Sequence, residues 1–70
     1  MINVRVNNLT GQYVGYYNLP QVPRQGEGLF FAHGNEFSNR FEVVDVTYRQ
    51  PADGHDLEVE VFVVERPPVP

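Results

Sequence analysis

Two histidines are the side chains of this 70-residue chain best suited to metal binding or proton transfer. His55 lies between Asp53 and Asp56, and His33 directly precedes a glycine. A structural metal site needs about three or four converging ligands, and the chain has no cysteine to supply a thiolate. Because Asp-Gly-His-Asp is equally the composition of a solvated turn, we expect no metal site and no cofactor.

Catalytic nucleophiles are scarce in this chain. Ser38 is the only serine, cysteine and lysine are absent, and no nucleophile-elbow motif surrounds Ser38. Glu58 and Glu60 lie on one face of a predicted strand, as a catalytic carboxylate pair would. A solvated outer face beside Thr47 and Arg49 accounts for them better, and a domain of this size has little room for a substrate pocket. We therefore expect that the protein is not an enzyme and has no catalytic residues.

The charge of the chain argues against general nucleic-acid binding. Its net charge is −4 and it contains no lysine, whereas binding to phosphate backbones requires clustered cations. The arginines are spread singly, at Arg5, Arg24, Arg40, Arg49 and Arg66. Gly26 and Gly28 flank Glu27, and an acid in such a loop disfavours phosphate binding, so we expect a surface turn there.

Two runs rich in β-branched and aromatic residues, 40–49 and 57–64, predict a β-hairpin. The segment between them is rich in proline, aspartate and glycine, which favour turns. A four-residue loop in this segment pairs Tyr48 with Leu57. The register then predicts one buried face made of Val44, Val46, Tyr48, Val59 and Val61.

The far end of this predicted hairpin is apolar on both faces. On the opposite face Val43 meets Phe62, and Phe41 meets Val64. Such an end must be covered from both sides. A strongly bent strand in a small barrel, a dimer contact, or a β-bulge near Val43 and Val44 would each resolve it. We expect a symmetric dimer with Phe62 near its contact, because a small chain without disulfides gains stability by burying such a patch.

A second hairpin is predicted at the N-terminus. Apolar and polar residues alternate over residues 2–7, which indicates a strand, and residues 12–19 predict its partner. Two registers are open, one pairing Val4 with Gly15 and the other pairing Val4 with Tyr16. We favour the first because it places two tyrosines over the core. A slip of one residue would exchange the two faces.

The middle of the chain predicts short elements. Pro20 and Pro23 end the second strand, because proline donates no hydrogen bond to a ladder. A short strand is expected over residues 29–32. The following segment, 33–39, is rich in turn residues, and its Gly-Asn pair predicts a tight turn.

The nine aromatic residues exceed what one small core must bury. Strand alternation directs Tyr16 away from Tyr17 and Phe30 away from Phe31, so Tyr16 and one of the two phenylalanines should lie outside the interior. Exposed aromatic residues mark contact surfaces, although sealing the barrel ends under loops is an equal alternative. The predicted interaction surface comprises Tyr16, Phe30, Phe31, Phe41, Val43, Phe62 and Val64.

Two motifs carry a family resemblance. They are Val-Pro-Arg-x-Gly-Glu-x-Leu over residues 22–29 and Arg-Phe-x-Val-x-x-Val-x-Tyr over residues 40–48. In them the chain resembles small bacterial and phage proteins with SH3-like barrels and no assigned function. The resemblance implies a fold and no activity. With the strand pattern, it predicts an all-β domain over residues 1–65, either a small five-stranded SH3-like barrel or a strongly twisted antiparallel sheet. A proline-rich tail follows over residues 66–70.

The expected function is that of a non-enzymatic β-barrel that works through protein contacts. Its partner would be a protein or a second copy in a homodimer, and a phage or bacterial accessory or inhibitor protein would fit. The alternative is a barrel that binds a small ligand or single-stranded nucleic acid by aromatic stacking. No apolar run approaches the roughly 20 residues of a membrane span, so we expect a cytoplasmic protein without a membrane partner.

Overall fold

The computed structural model is an all-β chain in which a strongly curled five-stranded sheet forms a half-barrel. It describes residues 1–10, 14–54 and 56–68. The strands are β1 (Ile2–Asn8), β2 (Val14–Leu19), β3 (Gly28–Leu29), β4 (Ala32–His33), β5 (Glu36–Phe37), β6 (Arg40–Arg49) and β7 (Glu58–Arg66). The predicted all-β class and the five-stranded curled sheet are confirmed. Over the described residues, no helix is long and apolar enough to cross a membrane.

The five-stranded sheet has the strand order β2-β1-β7-β6-β3, and β4 and β5 form a separate two-stranded sheet. Strands β1 and β7 pair in parallel, whereas the other neighbours are antiparallel. The prediction of a wholly antiparallel sheet is therefore wrong at this pair. Residue alternation specifies which face of a strand is buried, and it leaves open how strands from the two ends of a chain are oriented.

The core consists of valines from the three central strands. Strand β7 lies in the middle of the sheet, and its inward side chains meet those of β1 and β6. Each of these valines is at most 6 % exposed. They are Val4, Val6, Val43, Val59, Val61 and Val63.

The β6–β7 hairpin has a longer loop than predicted. Val46 pairs with Val61 and Tyr48 with Val59, a shift of two residues that keeps the predicted faces. Val59 and Val61 are buried as predicted, and Val46 packs against the core. The predicted burial of Tyr48 is wrong: the residue is 56 % exposed, because it lies near the end of a strand whose other side has no neighbour there.

A β-bulge at Val44 changes the faces of β6. Val43 pairs with Val63 and Asp45 pairs with Phe62, which leaves Val44 as the extra residue. A bulge near Val43 and Val44 is one of the three arrangements that the hairpin pattern left open, and the structure contains it. Val44, predicted on the buried face, is only partly buried and does not belong to the core. The bulge turns Val43 into the core, where it is fully buried, and Phe41 packs against the same core. The prediction that Phe41 and Val43 share the outer face with Phe62 is therefore wrong.

The N-terminal hairpin adopts neither predicted register. Val4 pairs with Tyr17 and Val6 pairs with Gly15, two residues beyond the favoured register. Because the register shifts by an even number of residues, each side chain stays on its predicted face. Tyr17 packs against the core, and Tyr16 is exposed. Tyr13, which with Tyr17 is one of the two tyrosines that the favoured register places over the core, lies outside the described residues.

Aromatic side chains cover the core on the concave side of the sheet. The ring centroid of Phe31 lies 4.7 Å from that of Tyr17 on β2 and 5.4 Å from that of Phe41 on β6. These spacings lie in the range of favourable aromatic pairs. Phe31 thus links strands from the two halves of the sheet across the opening that the half-barrel leaves.

The strand predicted over residues 29–32 is divided. Strand β3 ends at Leu29 and β4 begins at Ala32. The Phe31 carbonyl oxygen accepts a hydrogen bond from the Ser38 amide at 2.8 Å. Strands β4 and β5 then form a small hairpin in which His33 pairs with the Glu36 backbone. Its two-residue Gly-Asn turn confirms the predicted tight turn, with Gly34 at a φ of 62° that glycine adopts readily.

Truncating the core at Val61 should destabilise the domain. Val61 is fully buried between Val6 and Val46, and large-to-small core substitutions leave a cavity. We expect Val61→Ala to lower the free energy of unfolding by about 1–3 kcal/mol, measured by urea unfolding. The control Leu57→Ala alters a half-exposed residue and should change it by less than about 0.5 kcal/mol. Equal losses in the two variants would contradict the described core.

Candidate functional site: an open strand edge beside a buried glutamate

The structure does not assemble a metal site from the residues it describes. Asp53 and Asp56 are exposed in the β6–β7 loop, and His33 lies on β4. Within residues 1–10, 14–54 and 56–68, no three histidine, aspartate or glutamate side chains come close enough to hold a metal ion. His55 lies outside those ranges, so the absence of a metal stays a prediction.

The Ser38 hydroxyl forms hydrogen bonds within the fold. Its Oγ accepts a hydrogen bond from the Phe31 amide at 2.9 Å and donates one to the Asn39 carbonyl oxygen at 2.9 Å. With the backbone bond from its own amide to Phe31, it ties the small β4–β5 hairpin to the segment that carries Phe31. The hydroxyl therefore has a structural role in this arrangement.

The loop between Arg24 and Gly28 is a turn, as predicted. The Glu27 amide donates to the Arg24 carbonyl oxygen at 3.1 Å, and the Glu27 carboxylate accepts a bond from the Arg24 amide. Gly26 has a φ of 91°, a conformation that glycine adopts readily. Arg40 lies against this loop: its Nη2 donates to the Gly26 carbonyl oxygen at 3.1 Å.

Glu60 is the only charged side chain that is buried among the described residues, at 7 % exposure. Its carboxylate accepts hydrogen bonds from Arg49 Nη2 at 3.1 Å and from Asn7 Nδ2 at 2.6 Å. Arg5 Nε lies 3.5 Å from Glu60 Oε2. The predicted solvated face is correct for Glu58, which is exposed, and wrong for Glu60. The parallel pairing of β1 with β7 sets Arg5 directly beside it.

A cleft of about 390 Å³ opens over this glutamate on the outer face of the sheet. Its lining includes two arginines, three acidic residues and Tyr16, which is 66 % exposed. Arg5 Nε is buried without a hydrogen-bond partner of suitable geometry. The cleft therefore combines charged and apolar side chains, and its acids outnumber its arginines.

The predicted interaction surface is not one surface in the structure. Tyr16 and Phe30 are exposed, as expected, whereas Phe31 packs against the core. The alternation argument holds for Tyr16 and Tyr17 on β2, whereas Phe30 and Phe31 are separated as predicted but lie between β3 and β4, outside any strand. Phe62 and Val64 are partly buried on the outer face of β7.

Val43 cannot belong to a contact surface, because the Val44 bulge places it in the core with no exposed area. Phe41 follows it to the core side. The predicted apolar dimer patch therefore loses two of its four members. The register shift produces this change, and the hydrophobic pattern alone is compatible with either arrangement.

One edge of the sheet is open along β6. Strand β3 covers only the start of β6, pairing with Phe41 and Glu42, and the preceding loop covers Val43 through bonds of 2.8 and 2.9 Å with Gly26 and Glu27. In the described part of the chain, no strand pairs with the segment from Val44 to Arg49 on this side. Its outward backbone groups are accessible to another strand.

The five residues of this segment that follow the bulge form the open edge, which sequence reasoning did not identify. They are Asp45, Val46, Thr47, Tyr48 and Arg49. An open groove of about 700 Å³ runs beside them and is bounded on its other side by the loop of residues 21–25. The exposed Tyr48 ring lines the groove. The only sequence feature that pointed to this edge was Tyr48, an aromatic residue near the end of a long predicted strand. Such a residue is equally compatible with a buried position.

No family model, curated protein or solved structure matches this chain. Its function is therefore inferred from the cleft over Glu60 and the open edge of β6. The two adjoin each other, because Arg49 lies on the open edge and donates to Glu60.

Removing the charge of Glu60 should destabilise the fold. Glu60→Gln keeps the shape of the side chain and weakens its bonds with Arg5 and Arg49, and losing a hydrogen bond to a charged group costs about 1–3 kcal/mol. Urea unfolding should show a loss of that size. Glu58→Gln is the matched control on the same strand and face, and because Glu58 is exposed its loss should stay within about 0.5 kcal/mol. Equal losses in the free energy of unfolding for Glu60→Gln and Glu58→Gln would mean that the buried cluster does not stabilise the fold.

Proposed function

We propose that the protein is a non-enzymatic module that works through protein contacts and self-associates by adding a strand to the open edge of β6. The observation that carries this proposal is the unpaired segment from Val44 to Arg49 beside its groove. Strand addition to a free edge is a recurring mode of protein recognition, in which main-chain hydrogen bonds supply affinity.

The edge lacks most of the features that keep free strands from pairing. Natural edges are commonly protected by proline, by lysine, by shortness or by a covering loop. Strand β6 is ten residues long, and its open part contains no proline or lysine. The partial protections present are the bulge at Val44, the charged side chains of Asp45 and Arg49, and the bond from the Val46 amide to Asp45 Oδ1 at 3.0 Å.

The small size of the chain supports self-association. A domain of 70 residues obtains only about 3–5 kcal/mol from a single core, and this core consists of six valines. Pairing two open edges would extend each five-stranded sheet into a continuous one and bury part of Val46 and Tyr48. The contact would be small, so we expect weak, concentration-dependent association.

The cleft over Glu60 offers less support for a small-ligand or nucleic-acid function. It contains one exposed ring, Tyr16, beside Arg5 and Arg49. Both arginines already contact Glu60, and the acids of the cleft oppose a phosphate or another anion. Ser38 and Glu60 are the side chains best suited to act as a nucleophile or as an acid or base. Both are held in structural hydrogen bonds, which favours a non-enzymatic role.

Tyr48→Pro should abolish self-association and preserve the fold. Backbone groups alternate in direction along a strand, so the Tyr48 amide points to the open edge as the Val46 amide does. Proline is tolerated there because no ladder bond is lost. Sedimentation velocity from micromolar to millimolar concentration should show association of the natural chain and none of this variant, with far-UV circular dichroism unchanged.

Tyr48→Ala is the matched control, because it removes the same ring and keeps the amide donor. It should still associate, although more weakly. A natural chain that stays monomeric at millimolar concentration would refute the proposal, as would equal association of the proline variant.

A further inference from the structure

We propose that two copies meet in a single register, antiparallel about a two-fold axis at Thr47, with Asp45 and Arg49 as the residues that determine specificity. This inference rests on the proposed function and adds the geometry of the contact. Its starting point is the sequence Asp-Val-Thr-Tyr-Arg along the open edge. When two copies of this segment pair in the antiparallel direction, Asp lies opposite Arg and Val lies opposite Tyr.

Charge provides the first support. In this register Asp45 of each copy lies opposite Arg49 of the other, so that the symmetric contact contains two opposite-charge pairs. Directly opposed charges of opposite sign stabilise antiparallel pairs, and like charges destabilise them. Asp45 is exposed, and Arg49 is exposed apart from its bond to Glu60. A guanidinium carries five N–H donors, so Arg49 can keep Glu60 and also meet an aspartate.

Apolar contacts give the second support. The same register places Val46 of each copy opposite Tyr48 of the other, on the core side of the sheet. Both residues line the groove beside the edge. An aromatic residue paired with a β-branched one is among the favourable cross-strand combinations. The exposure of Tyr48 would then be reduced in the dimer.

The backbone of β6 is oriented for this pairing. Val43 directs its N–H and C=O to the covering loop, and Val44 is the extra residue of the bulge. Pairing with β7 resumes at Asp45 and Val46, and the Val46 amide donates to Asp45 Oδ1, from which we assign this amide to the open side. By alternation Tyr48 has the same orientation and Thr47 faces β7. Val46 and Tyr48 can therefore exchange hydrogen bonds with a second copy, and Thr47 sits on the axis between them.

Neighbouring registers are less favourable. A slip of one residue would set Val46 beside Thr47 and mix the two faces. An axis at Val46 would bring Tyr48 opposite Val44, whose backbone the bulge turns inward. An axis at Tyr48 would place Arg49 opposite Thr47 and leave Asp45 without a cationic partner.

The Asp45 carboxylate links the free and paired states. In the single chain it accepts the Val46 amide hydrogen at 3.0 Å. In the dimer the Tyr48 carbonyl oxygen of the other copy would accept that hydrogen, and the carboxylate would turn to Arg49 of that copy. One exposed local bond is thus replaced by a backbone bond and a charge pair.

A cysteine at position 47 tests the register directly. The chain contains no cysteine, so Thr47→Cys introduces a single thiol. A non-hydrogen-bonded antiparallel pair has Cα atoms about 4.5 Å apart, which lies within the disulfide range of about 4.4–6.8 Å. We expect Thr47→Cys to form a covalent dimer under mild oxidation, seen by non-reducing electrophoresis and mass spectrometry.

Asp45→Cys is the matched control on the same strand and face. In the proposed register its two thiols lie four residues apart along the strand, about 14 Å, which is beyond disulfide reach. Asp45→Cys should form no covalent dimer under the same oxidation. Efficient cross-linking of Asp45→Cys, or none of Thr47→Cys, would overturn the register.

Charge reversal provides a second, non-covalent measurement. Asp45→Arg and Arg49→Asp should each weaken self-association roughly tenfold, because each symmetric dimer would contain two like-charge pairs. An equimolar mixture of the two should associate as the natural chain does, since every pair is then opposite in charge. Folding of each variant is checked by circular dichroism, because Arg49 also contacts Glu60.

The outcomes separate this inference from the function on which it rests. If the natural chain associates and Tyr48→Pro does not, strand addition at the β6 edge stands. A failure of Thr47→Cys to cross-link, or of the charge-reversed mixture to recover association, would then refute the two-fold register alone. Loss of self-association in every form, the natural chain included, would refute both.

Discussion

The β-bulge at Val44 is the constraint on which the rest of this structure depends. Before the bulge, Val43 faces the core opposite Val63, and after it Val46 faces the core opposite Val61. Without the extra residue, one of these valines would have to point outward. The bulge therefore lets a ten-residue strand keep one apolar face along its length, and it marks the point at which the covering loop ends and the open edge begins.

The two faces of the sheet have different roles. The concave face is closed by valines and by Phe31, which packs between Tyr17 and Phe41. The outer face contains, in the part of the chain that the structure describes, one buried carboxylate, Glu60, neutralised by arginines from both neighbouring strands. Such a cluster is costly to break and contributes less net stability than apolar packing. Its clearest effect is to position Arg49, the last residue of β6, beside the open edge.

Local patterns predicted the four long strands and the buried faces of β1, β2 and β7, but not the face that β6 buries before the bulge. They predicted the bulge as one of three solutions, because a strand apolar on both faces demands some break. They could not determine the register, since the innermost pairs, Asn7 with Val14 and Arg49 with Glu58, are further apart along the chain than the shortest turns require. They also could not indicate the parallel β1–β7 pair, which depends on residues more than fifty positions apart. The burial of Glu60 follows from that pair and was missed with it.

Hydrogen exchange at three consecutive amides of β6 tests the central claim most directly. Backbone alternation after the bulge assigns the amides of Val46 and Tyr48 to the open edge and the amide of Thr47 to β7. If two copies pair there, exchange at Val46 and Tyr48 measured by nuclear magnetic resonance should slow markedly as concentration rises, whereas Thr47 should be protected throughout. Exchange at Val46 and Tyr48 that stays fast at every concentration would contradict pairing at this edge.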